Sequence, residues 1–327
     1  MSEVNLFYLS PNTTGGWVTF TSHLARCLQD VGVKCNLFKI TGKTWPSKKD
    51  FGYGLKYANV DLGRAVQITQ SAPTLIVAVA KKFSEQAEYL ISRGAKLVVH
   101  DPTELKNLPR NLEERRCVVI RQAGLRFMPG ANFIRHPYKR MGPPVEYDRY
   151  LAGSTCRIDF DKNTTILLDA NRILEKKIAI YGFENRLYTK FKIMPYYSEW
   201  EQSKVAYPRT ENAAFDILSR VKFAVDMSLI KGDGGGTQYS FLEAWDAGAV
   251  PVIHRDWVRQ NDDMKPGVNC IVAYDGKSLA SVLNGYDTIV SGETMRRAYV
   301  EGGHLQLFQH QASIVGVQYK EFLLASS

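Results

Sequence analysis

Hydrophobic and polar positions alternate between two periods along the first half of the chain. Short apolar runs predict strands at residues 4–9, 34–40, 75–80, 97–100, 117–121 and 132–134. Amphipathic stretches with a period near 3.6 predict helices at 17–31 and 84–92. Residues 41–57 are rich in glycine, lysine and aromatics without a clear period, which predicts a mobile loop. Strands that alternate with helices favour a doubly wound parallel sheet.

The same alternation resumes after a Gly-Pro-Pro break at 142–144. The predicted strands cover 165–169, 179–183, 191–194, 223–230, 250–253 and 269–273, and the predicted helices cover 212–219 and 277–284. Residues 291–324 look helical, with breaks expected near Gly302-Gly303 and Gly316. The pattern therefore predicts an α/β protein with two domains.

Composition supports two domains and narrows the environment. The chain has 327 residues, of which 45% are hydrophobic, enough for two medium-sized cores. Five scattered cysteines without a Cys-x-x-Cys pair favour reduced thiols over disulfides or a zinc site. The N-terminus lacks a basic leader, and the longest apolar run, at 75–80, is too short to cross a bilayer. We expect a soluble cytoplasmic protein.

Positive charge is confined to the first half. Residues 1–150 hold 22 basic against 12 acidic side chains, net +10, whereas residues 151–327 hold 20 against 21, net −1. Between residues 106 and 140, nine basic residues face two acidic ones and are interleaved with aromatics. Such a strip suits a polyanion, although a solvated basic face is the plainer alternative. The arginines and lysines that would bind nucleic acid are Arg115, Arg116, Arg121, Arg126, Arg135, Lys139 and Arg140.

A glycine-dense loop, Lys231-Gly-Asp-Gly-Gly-Gly-Thr237, follows the predicted strand at 223–230 and opens a helix. Open α/β sheets bind ligands at the carboxyl ends of their strands, and bare glycines let backbone N–H groups approach phosphate oxygens. Glu243 is expected about two turns into that helix, where its carboxylate can reach a ribose; a surface glutamate is the alternative. No Gly-Lys-Ser/Thr follows, so the loop is not a Walker A motif.

The stretch from Glu243 to Val252 reads Glu-Ala-x-x-Ala-Gly-x-x-Pro-Val and resembles the donor-binding signature of retaining GT-B glycosyltransferases. In that family the glutamate holds the nucleotide ribose, and an acidic residue usually stands eight positions earlier, where this chain has Gly235. Gly15-Gly16, after the first strand, resembles the family's Gly-Gly loop, although an ordinary turn is the alternative. Arg172 and Lys177 resemble its Arg-x4-Lys pair, whose cations stabilise the leaving diphosphate.

Two further segments resemble the T-even phage DNA α-glucosyltransferase family. His100-Asp101-Pro102 lies at a predicted strand end, and Gln309-His310-Gln311 lies in the C-terminal helical segment. The resemblance implies the GT-B plan, with two Rossmann-like domains that face a cleft. Residues 1–145 would form the acceptor (DNA) domain, 146–300 the nucleotide-sugar domain, and 301–327 a C-terminal helix that packs back on the first domain.

The function implied by the resemblance is transfer of a sugar from a UDP-sugar to the hydroxymethyl group of hydroxymethylcytosine or hydroxymethyluracil in duplex DNA, with retention, by a bacteriophage enzyme in the infected cell. In that family-based interpretation, the donor residues are Gly15, Gly16, Arg172, Lys177, Gly234, Gly235, Gly236, Thr237 and Glu243. His100 and Asp101 would orient the sugar and the acceptor. We expect a monomer without membrane contact.

We expect no metal or other cofactor, because Asp159-Phe160-Asp161, which has the form of a metal-binding Asp-x-Asp, lies beside the domain linker. Two alternatives remain open: the same fold acting on a saccharide, lipid or small molecule, and a DNA-binding protein with an inactive nucleotide site. A Rossmann oxidoreductase is a weaker third, because no Gly-x-Gly-x-x-Gly follows the first strand.

Overall fold

The computed structural model describes residues 2–11, 15–41, 49–108, 112–142, 150–207, 212–229, 236–258, 263–288 and 292–325. The chain divides into two compact units. Unit 1 comprises Met1–Lys139 and Phe308–Ser327, and unit 2 comprises Arg140–Leu307.

Unit 1 is built on an eight-stranded sheet with the order β3-β4-β2-β1-β5-β6-β7-β8. Its strands are β1 (Ser2–Leu9), β2 (Val33–Ile40), β3 (Lys49–Gly52), β4 (Leu55–Val60), β5 (Thr74–Val79), β6 (Lys96–Val99), β7 (Cys117–Val119) and β8 (Asn132–Phe133). Its helices in this part of the chain are α1 (Gly16–Asp30), α2 (Leu62–Ser71) and α3 (Ser84–Ser92). Every pair of neighbouring strands is parallel except β3 and β4.

The central strands of unit 1 explain this arrangement. All six residues of β5 are buried, which is typical of a parallel strand covered on both faces. Leu6 of β1 stands in register with Leu37 on one side and Leu75 on the other. The chain leaves β1 toward β2 and later enters β5 on the other side, so the strand order reverses between β1 and β5.

Unit 2 is built on a six-stranded sheet, all parallel, with the order β11-β10-β9-β12-β13-β14. Its strands are β9 (Tyr150–Ser154), β10 (Ala179–Tyr181), β11 (Lys204–Val205), β12 (Val221–Asp226), β13 (Val250–His254) and β14 (Ile271–Ala273). Its helices are α4 (Thr164–Ile173), α5 (Arg186–Tyr188), α6 (Trp200–Ser203), α7 (Ala213–Leu218), α8 (Tyr239–Asp246), α9 (Arg255–Val258), α10 (Gly276–Thr288) and α11 (Gly292–Phe308). A π-helical turn, Thr189–Ile193, continues α5.

The end of the chain returns to unit 1 as a π-helical turn, Ala312–Gly316, and α12 (Val317–Leu324). Gly316 lies so close to α1 that a Cβ there would be 2.7 Å from the carbonyl oxygen of Cys27. Lys320 Nζ donates to the carbonyl of Val31 at 3.1 Å. His310 is fully buried, and its Nδ1 donates to the carbonyl of His136 at 2.8 Å.

Several predicted elements differ from the structure. The strands expected at 165–169 and 191–194 are wrong, because these residues form α4 and the Thr189–Ile193 turn. A short apolar run fits a strand or a buried helix face equally well, and here Leu167 and Leu168 lie on the buried face of a helix. Strand β9 lies outside every predicted element.

Two further differences concern glycine-rich stretches. Part of the predicted loop at 41–57 forms the antiparallel pair of β3 and β4, while residues 42–48 lie outside the described residues. No break occurs at Gly302-Gly303, because α11 runs through it. A Cβ on Gly303 would be 2.3 Å from Trp245 Cδ1, so this glycine permits close packing rather than ending the helix. Among the described helices, none combines the length and apolar character that a bilayer crossing demands.

Candidate functional site

The strand order of unit 2 reverses between β9 and β12. From β9 the chain proceeds outward to β10 and β11, and from β12 it proceeds the other way to β13 and β14. Ligands of open α/β sheets bind beyond the carboxyl ends of the strands at such a switch point. A ligand is therefore expected beside the segments that follow β9 and β12.

Lys162 joins the two segments at this point. It ends the turn Arg157-Ile-Asp-Phe-Asp-Lys162, which follows β9. Its Nζ donates to Ser228 Oγ, just after β12, at 2.7 Å and to Gln238 Oε1, just before α8, at 2.8 Å. One cation is thus held against both segments and against the start of a helix.

Asp226, the last residue of β12, stabilises this arrangement through its hydrogen bonds and its charge. Its buried carboxylate accepts hydrogen bonds from Ser240 Oγ at 2.7 Å and from the backbone N–H and the hydroxyl of Ser228. Burial by itself raises the pKa of this carboxyl, but Lys162 and the two serines outweigh burial, and the pKa lies below its ordinary value. Asp226 therefore stays ionised and holds Lys162 in place.

Arg157 begins the same turn and is exposed. Its guanidinium donates to Asp159 Oδ2 at 2.9 Å and to Asp161 Oδ2 at 3.2 Å. Both aspartates of the Asp-x-Asp motif therefore form ion pairs with an arginine. No group of three or more metal-binding side chains occurs among the described residues. The two aspartates are partly buried, whereas Arg157 is exposed, so its guanidinium remains accessible to an anion from solvent.

Arg172 and Lys177 do not follow a strand, contrary to the premise of the sequence interpretation. Arg172, in the last turn of α4, donates through Nε to Glu199 Oε1 at 2.7 Å, and its guanidinium lies 4.5 Å from the Tyr197 ring. Lys177 Nζ donates to the carbonyls of Asn171, at 2.6 Å, and Leu174 at the end of α4. Both side chains satisfy local structure around this helix.

The structure brings forward a pair that sequence reasoning missed. Arg157 and Lys162 have the same Arg-x4-Lys spacing as Arg172 and Lys177, and they directly follow β9. Both pairs have this spacing in the sequence, but the strand wrongly predicted at 165–169 made Arg172 and Lys177 look like the pair that follows a strand.

The glycine loop after β12 is described only from Gly236 onward, so Gly234 and Gly235 lie outside the described residues. Gly236 has a φ of 128°, a conformation that favours glycine. Thr237 is buried, and its hydroxyl bonds to Asp263 Oδ2. The hydroxyl of Thr237 is therefore occupied by a hydrogen bond within the protein, and its backbone N–H is the group that could bind a ligand.

Glu243 lies in α8, four residues after the helix begins at Tyr239, which places it about one turn in rather than the predicted two. It is half-buried, and burial together with nearby Asp246 raises the pKa of its carboxyl to about 8. No donor from the described residues reaches this carboxyl. Gly248, with φ 69°, follows the helix end as predicted.

In unit 1, the switch point lies between β1 and β5, and Gly15-Gly16 belongs to the connection that leaves β1. Gly15 has a φ of 92° and precedes α1, whose first turn has neither a side-chain cap nor an acidic residue. A Cβ at Gly15 or Gly16 would meet no atom of the described residues within 4 Å. The uncapped N–H groups at the start of α1 could therefore bind an anion.

His100 and Asp101 follow β6 in unit 1. His100 Nε2 donates to the carbonyl of Val77 at 2.7 Å, and burial lowers the pKa of the ring to about 4. The ring is therefore neutral near pH 7, and Nδ1 is its acceptor nitrogen.

Buried Glu104 supports the turn after β6. It accepts hydrogen bonds from the His100 backbone N–H at 2.8 Å and from Trp17 Nε1 at 2.9 Å, and burial raises the pKa of its carboxyl to about 8. This carboxyl links the His100-Asp101 turn to the first turn of α1. Sequence reasoning overlooked Glu104, because a glutamate three residues after Asp101 looks like an exposed residue of a polar turn.

The predicted DNA-binding arginines of unit 1 lie at two opposite edges of the sheet. Arg121 and Arg135 follow the carboxyl ends of β7 and β8, and Arg126 ends the turn after β7. Arg115 and Arg116 precede β7 and line a pocket of about 490 Å³ with residues from the amino ends of β6 and β8. Only the first three share an edge with His100 and Asp101.

The last two predicted cations have specific ion pairs. Lys139 Nζ bonds to Asp30 Oδ2 at 2.5 Å within unit 1. Arg140 Nε bonds at 2.7 Å to Oδ1 of fully buried Asp246 in unit 2, so this arginine neutralises an internal charge. The seven cations predicted to bind DNA therefore do not form one continuous surface.

No protein-family model matches the sequence, and no curated protein matches it. Among solved structures, the T4 α-glucosyltransferase in complex with UDP and a 13-mer DNA containing an A:G mismatch has a TM-score of 0.76 at 14% identity, covering 98% of this chain and 100% of that one. Anabaena HepE with UDP-glucose has a TM-score of 0.70 at 12% identity, covering 100% of both chains. The lipopolysaccharide outer core galactosyltransferase WaaB has a TM-score of 0.61 at 11% identity, covering 99% of both.

These likenesses confirm the predicted fold class. The protein has the α/β fold of GT-B glycosyltransferases, with two units that are each built on a mainly parallel sheet. It resembles the phage DNA α-glucosyltransferase in particular, along the whole length of both chains.

Proposed function

We propose that the protein is a glycosyltransferase that moves a sugar from a UDP-sugar to the hydroxymethyl group of a modified pyrimidine in duplex DNA, with retention of anomeric configuration. The observation that carries the enzyme class is Lys162, a cation fixed at the switch point of unit 2 by Ser228 and Gln238. The α-glucosyltransferase and HepE, two structural neighbours with this fold, have been solved in complex with UDP and UDP-glucose, respectively.

We assign the diphosphate to Arg157 and Lys162 in place of Arg172 and Lys177. Lys162 is positioned beside the start of α8, where N–H groups also favour an anion. Charge on the diphosphate grows as the glycosidic bond breaks, so fixed cations act more strongly on the transition state than on the bound donor. In this proposal the two side chains supply the positive charge, without a metal ion.

Glu243 is the proposed ribose ligand. Its carboxyl is half-buried, has a raised pKa and meets no donor among the described residues, so ribose hydroxyls would supply the missing partners. The backbone N–H groups of Gly236 and Thr237, and those of Gly15 and Gly16 at the start of α1, are proposed to face the donor as well.

His100 and Asp101 are the proposed groups that orient the sugar and the acceptor hydroxyl. In a retaining transfer of this kind, the departing phosphate oxygen takes the acceptor's proton on the face that it leaves, so no strong side-chain base is needed. A neutral His100, whose acceptor Nδ1 bonds to none of the described residues, fits an orienting role, since its pKa near 4 makes it a weak base.

Duplex DNA is the proposed acceptor for two reasons. The phage α-glucosyltransferase has been crystallised with DNA that contains a hydroxymethyluracil base. The excess positive charge of this chain lies in residues 1–150, and Arg121, Arg126 and Arg135 share the sheet edge of His100. The likeness to WaaB, a lipopolysaccharide outer core galactosyltransferase, supports a saccharide or lipid acceptor as the second candidate.

The test is to incubate the protein with duplexes that contain hydroxymethylcytosine, hydroxymethyluracil or unmodified pyrimidines, together with a panel of UDP-sugars, and to determine nucleoside masses after digestion. Sugar on the hydroxymethylated nucleosides alone supports the proposal. Lys162→Met should slow this transfer by roughly 10²–10³, while Lys177→Met serves as the matched control. UDP release without any sugar on DNA would support the second candidate.

A further inference from the structure

The segment that follows β10 in unit 2 exposes a row of large apolar side chains. Phe183, Leu187, Phe191 and Met194 are 52%, 61%, 57% and 58% exposed, and we call them the apolar ridge. Leu187 and Phe191, four residues apart, lie on one face of the helical turns from Arg186 to Ile193, and Phe183 and Met194 flank those turns. The opposite face, with Tyr188, Ile193 and Tyr197, is buried in the core of unit 2. Both faces of these helical turns therefore carry large apolar side chains: one set is buried in the core of unit 2, and the other is exposed.

Positive charges predominate around the apolar ridge. Arg186, Lys190 and Lys192 are exposed on the same turns. Glu184 is the acidic residue of this stretch, and it bonds to Lys204 at 2.9 Å. Lys190 Nζ lies 5.4 Å from the centre of the Phe191 ring, so cation and apolar surface form one patch. Such a patch is complementary to a partner with anionic groups beside apolar ones.

The apolar ridge is attached directly to the turn that carries Arg157 and Lys162. Ile158 N donates to the carbonyl of Phe183 at 3.0 Å, and Asn185 N donates back to the carbonyl of Ile158 at 2.8 Å. Asn185 Nδ2 also donates to Asp159 Oδ1 at 2.8 Å. Exposed Phe160, in the middle of the turn, packs its ring 5.1 Å from that of Tyr188. A molecule on the apolar ridge would therefore lie beside the proposed diphosphate site.

We propose that the apolar ridge is a DNA-binding surface of unit 2, which contacts the duplex next to the base that receives the sugar. Arg186, Lys190 and Lys192 meet phosphates, and the apolar side chains pack against bases at the step that is opened when the acceptor base leaves the stack. Removing a base from the stack costs a few kcal/mol, and inserted apolar side chains are a common way to offset it. The inference rests on the proposed function.

Anionic DNA fits the apolar ridge better than an anionic bilayer does. The helical turns from Arg186 to Ile193 span eight residues, about 12 Å. Three cations alternating with aromatic and aliphatic groups over that length match the spacing of a few phosphates and base steps.

The experiment compares three proteins by fluorescence anisotropy with a duplex that contains hydroxymethyluracil: wild type, the double variant Leu187→Ser/Phe191→Ser, and Leu305→Ser. Leu305 is a matched control because it is 77% exposed and lies on α11. We expect the double variant to bind DNA roughly tenfold more weakly and the control to bind like wild type. UDP calorimetry, unchanged in all three, shows that the double variant is folded.

A second pair of variants tests the cations. Lys190→Gln/Lys192→Gln should lower the slope of log affinity against log salt by about 2, because two phosphate contacts are lost. Lys265→Gln/Lys277→Gln, at exposed positions elsewhere in unit 2, should leave the slope unchanged. Equal DNA binding by wild type and both ridge variants overturns the inference and leaves the proposed function standing. If wild type does not bind DNA, the proposed function fails, and ridge-dependent binding to phosphatidylserine vesicles would assign the apolar ridge to a membrane.

Discussion

Two turns of unit 2 carry the same Arg-x4-Lys spacing in different settings. Arg157 and Lys162 follow strand β9 at the point where the strand order reverses, whereas Arg172 and Lys177 lie at the end of α4. Lys162 bonds to side chains of two other segments, and Lys177 bonds to carbonyls of its own helix end. The spacing is identical, so the spacing does not decide what the cations do.

What differs is the backbone to which each pair is attached. The carboxyl ends of parallel strands meet at one edge of the sheet, so polar groups that follow neighbouring strands converge there. A lysine past the end of a helix is instead drawn to the free carbonyls of the last turn. The position of a motif relative to a strand end is therefore more informative than its residue types.

The largest effect is expected at Lys162. Lys162→Met should lower kcat for sugar transfer by roughly 10²–10³, because it removes a fixed charge next to the leaving diphosphate. Lys177→Met should change kcat by less than about twofold. Steady-state kinetics with the preferred UDP-sugar measures both. Equal losses in the two variants would show that the distinction between strand end and helix end does not hold.

Arg157 and Arg172 form the second matched pair. Arg157→Ala should lower kcat by roughly ten- to a hundredfold and raise donor KM less, because the diphosphate charge that it meets grows in the transition state. Arg172→Ala should leave both constants near wild type, because Arg172 lies at the end of α4 and not in a segment that follows a strand at the switch point. A large loss of kcat in Arg172→Ala alone would restore the original sequence interpretation.

Glu243 tests the ribose contact of the same strand-end site. Glu243→Ala should weaken UDP binding by about 1–3 kcal/mol, the cost of a hydrogen bond to a charged group. Its carboxyl has a pKa of about 8 in the unliganded protein. Because a carboxylate accepts hydrogen bonds from ribose better than a neutral carboxyl does, UDP affinity should rise with pH through about 8 and level off above it, and Glu243→Gln should remove that rise. Calorimetry at about pH 6, 7, 8 and 9 measures this; a wild-type affinity in Glu243→Ala would place the nucleotide elsewhere.

In unit 1, two sets of arginines lie at opposite edges of the sheet, and only one set is expected to bind DNA. Replacement of Arg121, Arg126 and Arg135 by glutamine should lower the salt dependence of DNA binding, with a slope change of about 2–3, because these residues share the edge of His100 and Asp101. Arg115→Gln/Arg116→Gln, at the opposite edge, should have little effect on the slope. Filter binding at several salt concentrations distinguishes the two sets. A larger change from the second set would place the DNA at the amino edge of the sheet.

The sequence predicts most strands of both sheets, because central strands such as β5 and β12 are apolar runs bounded by turns. It does not identify β9, whose residues Tyr-Leu-Ala-Gly-Ser lack an apolar run. That single omission shifts the first strand of unit 2 onto α4, and with it the diphosphate pair. Gly303 shows a related limit: a glycine required by close packing against Trp245 cannot be distinguished, in sequence, from one that breaks a helix.

Of the candidate site, sequence alone indicates the glycine loop and Glu243, since their spacing is local. The contacts that hold the site together join residues far apart in the chain, such as Lys162 with Gln238 and Glu104 with Trp17. Such pairs depend on which strands are neighbours in the sheet, and no local pattern reports the strand order.

The smallest effect concerns the stability provided by the helix-end pair. Lys177 Nζ donates to the carbonyls of Asn171 and Leu174, two groups that α4 leaves without backbone partners. Lys177→Met should therefore lower the free energy of unfolding by about 0.5–1 kcal/mol, a typical value for a cation at a helix C-terminus. Lys162→Met should also affect stability, because it leaves the buried carboxylate of Asp226 without its cation. Urea denaturation of both variants, beside their kinetics, separates the roles: Lys177→Met should lose stability without losing kcat, and a variant that loses kcat at unchanged stability would make Lys177 a functional residue after all.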